Sequence, residues 1–381
     1  MKKYIVFLFG VLIVCAFIAV GMPEKADAEA LAPHSASALL MEYESGEILY
    51  KNSAEVRRPI ASMVKIMTLN IIFDSIKEGK LNYTDMVSVS NKAASTGGSQ
   101  AFLDAGKSYN AEALIKSIII ASANDSCVAM AEHLMGSTEA FVSEMNKRAQ
   151  KLGMTSTNYA NCTGLPAPDA FSTAHDVALC MRELLSHKDY FRYSRIWMED
   201  FVHPGGRVTQ LTNTNRLIRS YNGCDGGKTG YTNESKHCIA ATAVKNGMRL
   251  ISVVMAGESS QDRFADAASM LNYGFANYES KVLLGAGSDL GEVKVSGGKE
   301  REVKAVAESD LRLFGKRGET EGEIKFEISE TVKAPVKKGD RLGTAYIMDE
   351  SGKIVSSVFV IAQSDVEKAS LWDIIRRLKG E

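Results

Sequence analysis

Arg58-Pro59-Ile60-Ala61-Ser62-Met63-Val64-Lys65 leads into a run, continuing to about Glu78, in which apolar residues recur at three- and four-residue spacing. That period is helical. Proline is favoured in a first helical turn, and the macrodipole stabilises negative charge there. The stretch therefore predicts a helix opening at Ser62, with Lys65 one turn along on the same face. Upstream, the alternation in Ala38-Leu39-Leu40-Met41-Glu42-Tyr43, a turn at Glu44-Ser45-Gly46-Glu47 and the run Ile48-Leu49-Tyr50 read as a β-hairpin. Downstream, helical spacing recurs over Ala111 to Ile120, Ser126 to Met135, Glu139 to Leu152 and Ala174 to Leu185. Strand character returns in Cys238 to Val244 and Leu250 to Met255, joined through Asn246-Gly247, a strong hairpin turn signal. A helix over Gln261 to Tyr278 follows. Strands at both ends with helices between them predict an α+β unit: one antiparallel sheet built from both termini, helices on its faces, and a cleft beside a helical lobe.

From about Lys281 to Val360 the texture changes to short alternating stretches such as Lys325-Phe326-Glu327-Ile328, separated by Gly- and Lys-rich turns. A small all-β domain is expected there. Asp365 to Lys379 sets Ala369, Trp372 and Ile375 with Leu371 and Leu378 on one broad face and basic residues on the other. That pattern suits an amphipathic helix lying on a membrane surface, or equally one packed on its own domain. At the other end, Lys2 and Lys3 precede an apolar run from Tyr4 to Val20 and then Ala26-Asp27-Ala28. This is read as a secretory leader cleaved after Ala28, with an uncleaved anchor as the alternative. The expected division is 1–28 leader, 29–279 catalytic domain, 280–363 small β-domain and 364–381 tail helix, in an exported protein held at the outer face of the cytoplasmic membrane.

The 45 basic and 46 acidic residues leave no electrostatic footprint for nucleic acid. With Cys15 assigned to the leader, Cys127, Cys162, Cys180, Cys224 and Cys238 remain, an odd number in a chain too large to need a disulfide framework. Buried thiols are expected. There is no CxxC and no HExxH, so neither metal nor cofactor is expected.

Ser-x-x-Lys occurs twice, at Ser62 to Lys65 and at Ser296 to Lys299; the second precedes no helix and reads as a turn. A serine hydroxyl must lose its proton as it attacks a carbonyl, and a lysine can take that proton only when neutral. Desolvation or a nearby cation favours the neutral form, and Lys228 of Lys228-Thr229-Gly230 could supply that cation. Ser-x-Asn fits at Ser108, Ser122, Ser156 and Ser220. Ser122-Ala123-Asn124 is preferred because it joins two apolar helical runs, a rigid platform on which Asp125 can cap the second helix.

Ordered Ser-x-x-Lys, Ser-x-Asn and Lys-Thr-Gly form the motif set of β-lactamases and penicillin-binding proteins. With Ser95-Thr96-Gly97-Gly98-Ser99, Thr163-Gly164-Leu165, Ser172-Thr173-Ala174-His175-Asp176 and Asp225 to Thr232, the chain resembles the low-molecular-mass penicillin-binding proteins, serine D-Ala-D-Ala carboxypeptidases of peptidase family S11. The resemblance implies a β-lactamase/transpeptidase-like fold, a peptidoglycan stem peptide ending in D-Ala-D-Ala as substrate, β-lactams as covalent inhibitors, and an acyl-enzyme on Ser62. It further implies that Lys65 is the acylation base, that Ser122 relays a proton to the leaving amine, and that Asn124 orients Lys65 and the substrate amide. Lys228 and Thr229, with Arg263 nearby, would hold the substrate carboxylate. Gly230 would admit the substrate closely, and the backbone amides of Ser62 and Tyr231 would form the oxyanion hole. One departure is Ala123, where the family usually has glycine; its methyl is expected to bear on the loop or the cleft width. Rival readings are a β-lactamase, for which the stretch Asn161 to His175 offers only Asp169, a silent peptidoglycan- or penicillin-binding module, and an endopeptidase sharing every motif.

Overall fold

The computed structural model describes residues 31–320, 322–349 and 351–373; the leader and the end of the tail lie outside them. The opening hairpin is β1 (Ser35–Glu42) and β2 (Ile48–Asn52). The middle of the chain supplies α1 (Lys65–Lys77), α2 (Ala111–Ile120), α3 (Asn124–Met135), α4 (Thr138–Lys151) and α5 (Ala174–Ser186). Then come β3 (Met198–Val202) and β4 (Val208–Thr212), a hairpin outside the main sheet that no alternation in the sequence announced. The unit closes with β5 (Cys224–Thr232), β6 (Lys236–Lys245), β7 (Met248–Gly257) and α6 (Ser260–Asn277).

β1 pairs with β7, so both ends of the unit meet in one antiparallel sheet of order β2-β1-β7-β6-β5. Side chains alternate across a strand, and here both faces are covered. Leu39, Met41, Ala240, Ile251 and Val253 join the core shared with α1, α3 and α5, whereas Leu40, Ile239, Ala241, Leu250 and Val254 pack on α6. Double coverage explains the near-continuous apolar runs of β1, β6 and β7. Each fully buried Leu, Ile or Val contributes roughly 1.5–3 kcal/mol. Gly274 permits the tight seating of α6, since a Cβ there would lie 2.5 Å from Leu250 Cδ1. Edge strand β5 carries Lys228-Thr229-Gly230 along the helical lobe.

Beyond α6 the described residues form strands and turns as far as Ala362. Tyr278–Leu284 pairs with Leu311–Lys316, and a six-stranded sheet follows, antiparallel except where Asp289–Ser296 runs parallel to Thr331–Lys333. Ser296 ends a strand and Gly297 turns at φ +71°, so the second Ser-x-x-Lys is a turn. The expected tail helix needs correction over its first half. Val366 bridges to Val336 and Lys368 to Gly298, so 365–369 is an extended strip on the β-domain. Val366 is buried there, and sheet packing outweighs the helical period. Ser370 then caps a turn through Asp373, leaving Leu371 and Trp372 exposed; the rest of the expected helix lies outside the described residues. Among the described residues no helix is long and apolar enough to cross a membrane.

Candidate active site

Ser62 does not open an α-helix. Ala61–Val64 is a 3₁₀ turn and α1 begins at Lys65. Ala61 itself lies in the left-handed region, at φ +45°. The consequence anticipated from the sequence survives: Lys65 Nζ lies 2.9 Å from Ser62 Oγ.

Lys65 is fully buried. Its Nζ also donates to Asn124 Oδ1 at 2.6 Å and to the Thr163 carbonyl at 2.5 Å. Burial is the main cause that lowers its pKa, partly opposed by Asp125 and two neighbouring thiols. Lys228 is buried as well and donates to the Thr229 carbonyl at 3.0 Å. Its pKa is driven well down, first by burial and then by the Lys65 charge. The idea that Lys228 is what depresses Lys65 is therefore revised: desolvation is the dominant cause at both lysines.

The backbone around this pair leaves little room. Gly230 abuts the Ser62 turn, since a Cβ there would lie 2.8 Å from the Ile60 carbonyl oxygen and 3.1 Å from Ser62 N. Gly164, at φ +84°, abuts it from the other side, where a Cβ would lie 2.0 Å from the Ala61 carbonyl oxygen. Ser62 is thus clamped between β5 and the loop after α4.

Ser122 sits in the left-handed region at φ +64°, its Oγ buried and without a hydrogen-bond partner among the described residues. A buried hydroxyl without an internal partner can bond a ligand instead. Asn124 is fixed by its Nδ2, which donates to the Gly97 carbonyl, and its backbone N–H, which donates to the Ser99 carbonyl, each at 2.7 Å. Thr229 Oγ1 bonds to Thr214 Oγ1 at 2.8 Å. Tyr231 is exposed and stacks on His237 with ring centroids 4.5 Å apart. Arg263 lies behind β5, donating to the Gly230 carbonyl at 3.0 Å and the Cys238 carbonyl at 3.3 Å. It braces the strand.

Asp125 does not cap α3; its carboxylate accepts from the Ala101 and Leu103 backbone N–H groups, both at 3.0 Å, and so holds the loop above Asn124. Ala123 has φ −60° and ψ 118°, which any residue adopts, and its methyl is buried in the core rather than lining the cleft. Residues that motif reading passed over are Thr214 and Asn161, whose Oδ1 accepts from the Thr163 and Gly164 N–H groups at 3.1 and 2.6 Å. Asn161-x-Thr163-Gly164 carries the local signal of an Asx turn; nothing local marks Thr214. The five described cysteines are free and buried, with desolvation pushing Cys162, Cys224 and Cys238 up to about 11. The cluster Asp74, Glu183 and His187 has its carboxylates bridged by Arg148, at 2.8 Å and 2.5 Å.

A hydroxyl held against a buried lysine, beside an edge strand that can pair with an extended peptide, defines a serine hydrolase of the acyl-transfer class. The family model described as D-alanyl-D-alanine carboxypeptidase matches residues 24–259, and one described as penicillin-binding protein 5, C-terminal domain, matches 278–368. The Bacillus subtilis D-alanyl-D-alanine carboxypeptidase DacF is 37% identical over 354 residues, covering 92% of this chain and 90% of the relative. Escherichia coli D-alanyl-D-alanine carboxypeptidase DacA is 32% identical over 352 residues, covering 90% and 86%. Penicillin-binding protein 5 from Haemophilus influenzae superposes with a TM-score of 0.66 at 30% identity, over 88% of this chain and 98% of that one. The chain belongs to the D-alanyl-D-alanine carboxypeptidase family, the S11 serine peptidases among the low-molecular-mass penicillin-binding proteins.

Proposed function

We propose that this protein removes the terminal D-alanine from peptidoglycan stem peptides through an acyl-enzyme on Ser62. One observation carries the mechanism: Lys65 Nζ meets two pure acceptors and one hydroxyl. A neutral amine has two N–H donors and one lone pair. Its donors satisfy Asn124 Oδ1 and the Thr163 carbonyl, so its lone pair faces the Ser62 hydroxyl. As Oγ attacks the penultimate D-alanine carbonyl, its proton passes to Lys65. The oxyanion is received by the Ser62 and Tyr231 backbone amides; Gly230, which precedes Tyr231, packs close to Ser62 N and supports this. Ser122 Oγ passes its proton to the departing amine and regains one from the protonated Lys65, and water then releases the shortened peptide. Lys228 and Thr229 hold the terminal carboxylate, while Arg263 keeps β5 in register by its bond to the Gly230 carbonyl.

A β-lactam is attacked by the same Oγ, so Ser62 is the residue it acylates. A β-lactamase role is disfavoured, because no carboxylate of the 161–175 loop is among the partners of Lys65 and Asp169 is exposed. Export through the apolar leader and contact of the tail with the outer face of the cytoplasmic membrane complete the proposal; exposed Leu371 and Trp372 support the second.

The test is incubation with an acyl-peptidyl-D-Ala-D-Ala, measuring free D-alanine, beside mass spectrometry of a β-lactam adduct. D-Alanine release and an adduct on Ser62 are expected. A stable adduct without release would leave a silent binding module; labelling elsewhere would overturn the mechanism.

A further inference from the structure

Two adjoining hollows, of about 1530 and 1440 Å³ and open to solvent, separate the turn between β1 and β2 from the β-domain. They share Ser45, Phe314, Ile354 and Val355, so together they form one groove along the first half of the strand Ile354–Ala362. That half is an open edge. One side of the strand pairs with Arg341–Met348 along its length, whereas on the other side pairing with Glu302–Ala307 ends at Val360. The Phe359 carbonyl still accepts from Glu308 N–H at 2.9 Å. Before Phe359, no strand among the described residues pairs with that side. Backbone groups alternate between the two sides of a strand, so Ser357 turns its N–H and C=O the same way as Phe359, into the groove it lines. Ile354 and Val355, 53% and 43% exposed, leave apolar surface there.

The opposite wall is built firmly. The Glu42 carboxylate accepts from the Glu44 and Ser45 N–H groups at 3.0 and 2.6 Å and fixes the turn. Arg312 ties the β-domain to the β6–β7 turn, because its guanidinium packs on Gly247 and donates to the Ser280 carbonyl at 3.3 Å. Charge then assigns the occupant. Glu44, Glu47, Glu308 and Glu319 line the groove and make no ion pair among the described residues. Arg312 is paired with Asp310 at 2.9 Å, which leaves Lys353 as the one other basic side chain on the lining. Burial and the neighbouring Glu42 carboxylate raise the Glu44 pKa, a cost that a bound cation relieves.

We propose that this groove docks an extended segment of a partner protein, which adds as a strand to the free edge at 354–358. The segment carries aliphatic side chains for Ile354 and Val355 and lysines or arginines for the unpaired glutamates. An open edge offers its main-chain donors and acceptors to any incoming strand, and the side chains lining the groove set which strand is accepted. At about 3.3 Å per residue the edge is about 16 Å long, so a stretch of about five residues fills it. Each exposed glutamate adds only about two- to five-fold in affinity, because solvent screens it.

The experiment titrates the full chain with a fluorescein-labelled peptide alternating valine and lysine, followed by anisotropy, beside a peptide alternating valine and glutamate. Saturable binding of the basic peptide is expected, about ten-fold or more tighter than that of the acidic one, with amide exchange at 354–358 slowed when it binds. Ser357→Pro removes the outward N–H without breaking a bond to Arg341–Met348 and should weaken binding by about ten-fold. Glu44→Gln combined with Glu308→Gln, both at exposed positions, should weaken it by about four- to twenty-five-fold. D-Alanine release should be unchanged in both variants. No saturable binding up to about 1 mM peptide, equal affinity for the two peptides, or unchanged exchange at 354–358 overturns the proposal. Self-association of the chain in sedimentation, lost in Ser357→Pro, makes a second copy the occupant and overturns it as well.

Discussion

Replacing Gly164 by alanine tests whether the loop after α4 positions the nucleophile. A Cβ at this position would lie 2.0 Å from the Ala61 carbonyl oxygen and 2.8 Å from Ser62 N, where ordinary contact begins near 3.4 Å. The obstacle is backbone, so no rotamer change relieves it, and the Ala61-Ser62 peptide or the loop must move by roughly 1 Å or more. Misplacing a catalytic group by about 1 Å costs about 10²-fold in rate. Alanine in the left-handed region costs a further ~1–2 kcal/mol of stability. Gly153→Ala separates the two effects, because Gly153 has φ +77° with nothing within 4 Å of the added methyl. Both variants should lose a similar increment to backbone strain in thermal unfolding, with Gly164→Ala losing more. Gly164→Ala alone should acylate about 10²-fold more slowly with a fluorescent penicillin in stopped-flow labelling. A Gly164→Ala protein acylating within three-fold of wild type would refute the clamp.

Lys65→Met, which keeps the buried stem and removes the base, should lower the acylation rate by about 10²–10⁴-fold, with circular dichroism checking the fold. The wild-type rate should rise with pH through a lysine pKa lowered by burial, below the usual ~10.4. Between that lowered pKa and ~10.4 the unfolded chain binds more protons at this site, so the lysine's penalty on stability fades as pH rises, and the difference in Tm between wild type and Lys65→Met should change in that window. Ser122→Ala removes an orphaned buried hydroxyl; Tm should hold or rise while D-alanine release falls by about 10²–10⁴-fold. Ala123→Gly should cost about 1 kcal/mol in denaturant unfolding and leave kcat for D-alanine release within two-fold, because the methyl faces the core.

Much of this was legible in the residues. The apolar stretch of β1 and the paired runs flanking Asn246-Gly247 announced the sheet, and Ser62, Lys65 and Lys228 stood out because a rare chemistry needs those types in that order. Spacing along one chain determines helices, hairpins and motif order, since these depend on neighbours within a few residues. Tertiary structure decided the rest. Only folding delivers the Thr163 carbonyl to Lys65 across 98 positions of chain, turns Ala123 inward, and draws Val366 onto the β-domain as a strand partner. Above all, burial rather than a neighbouring cation is what chiefly lowers the Lys65 pKa; desolvation belongs to the packed interior as a whole, and no local stretch of sequence encodes it.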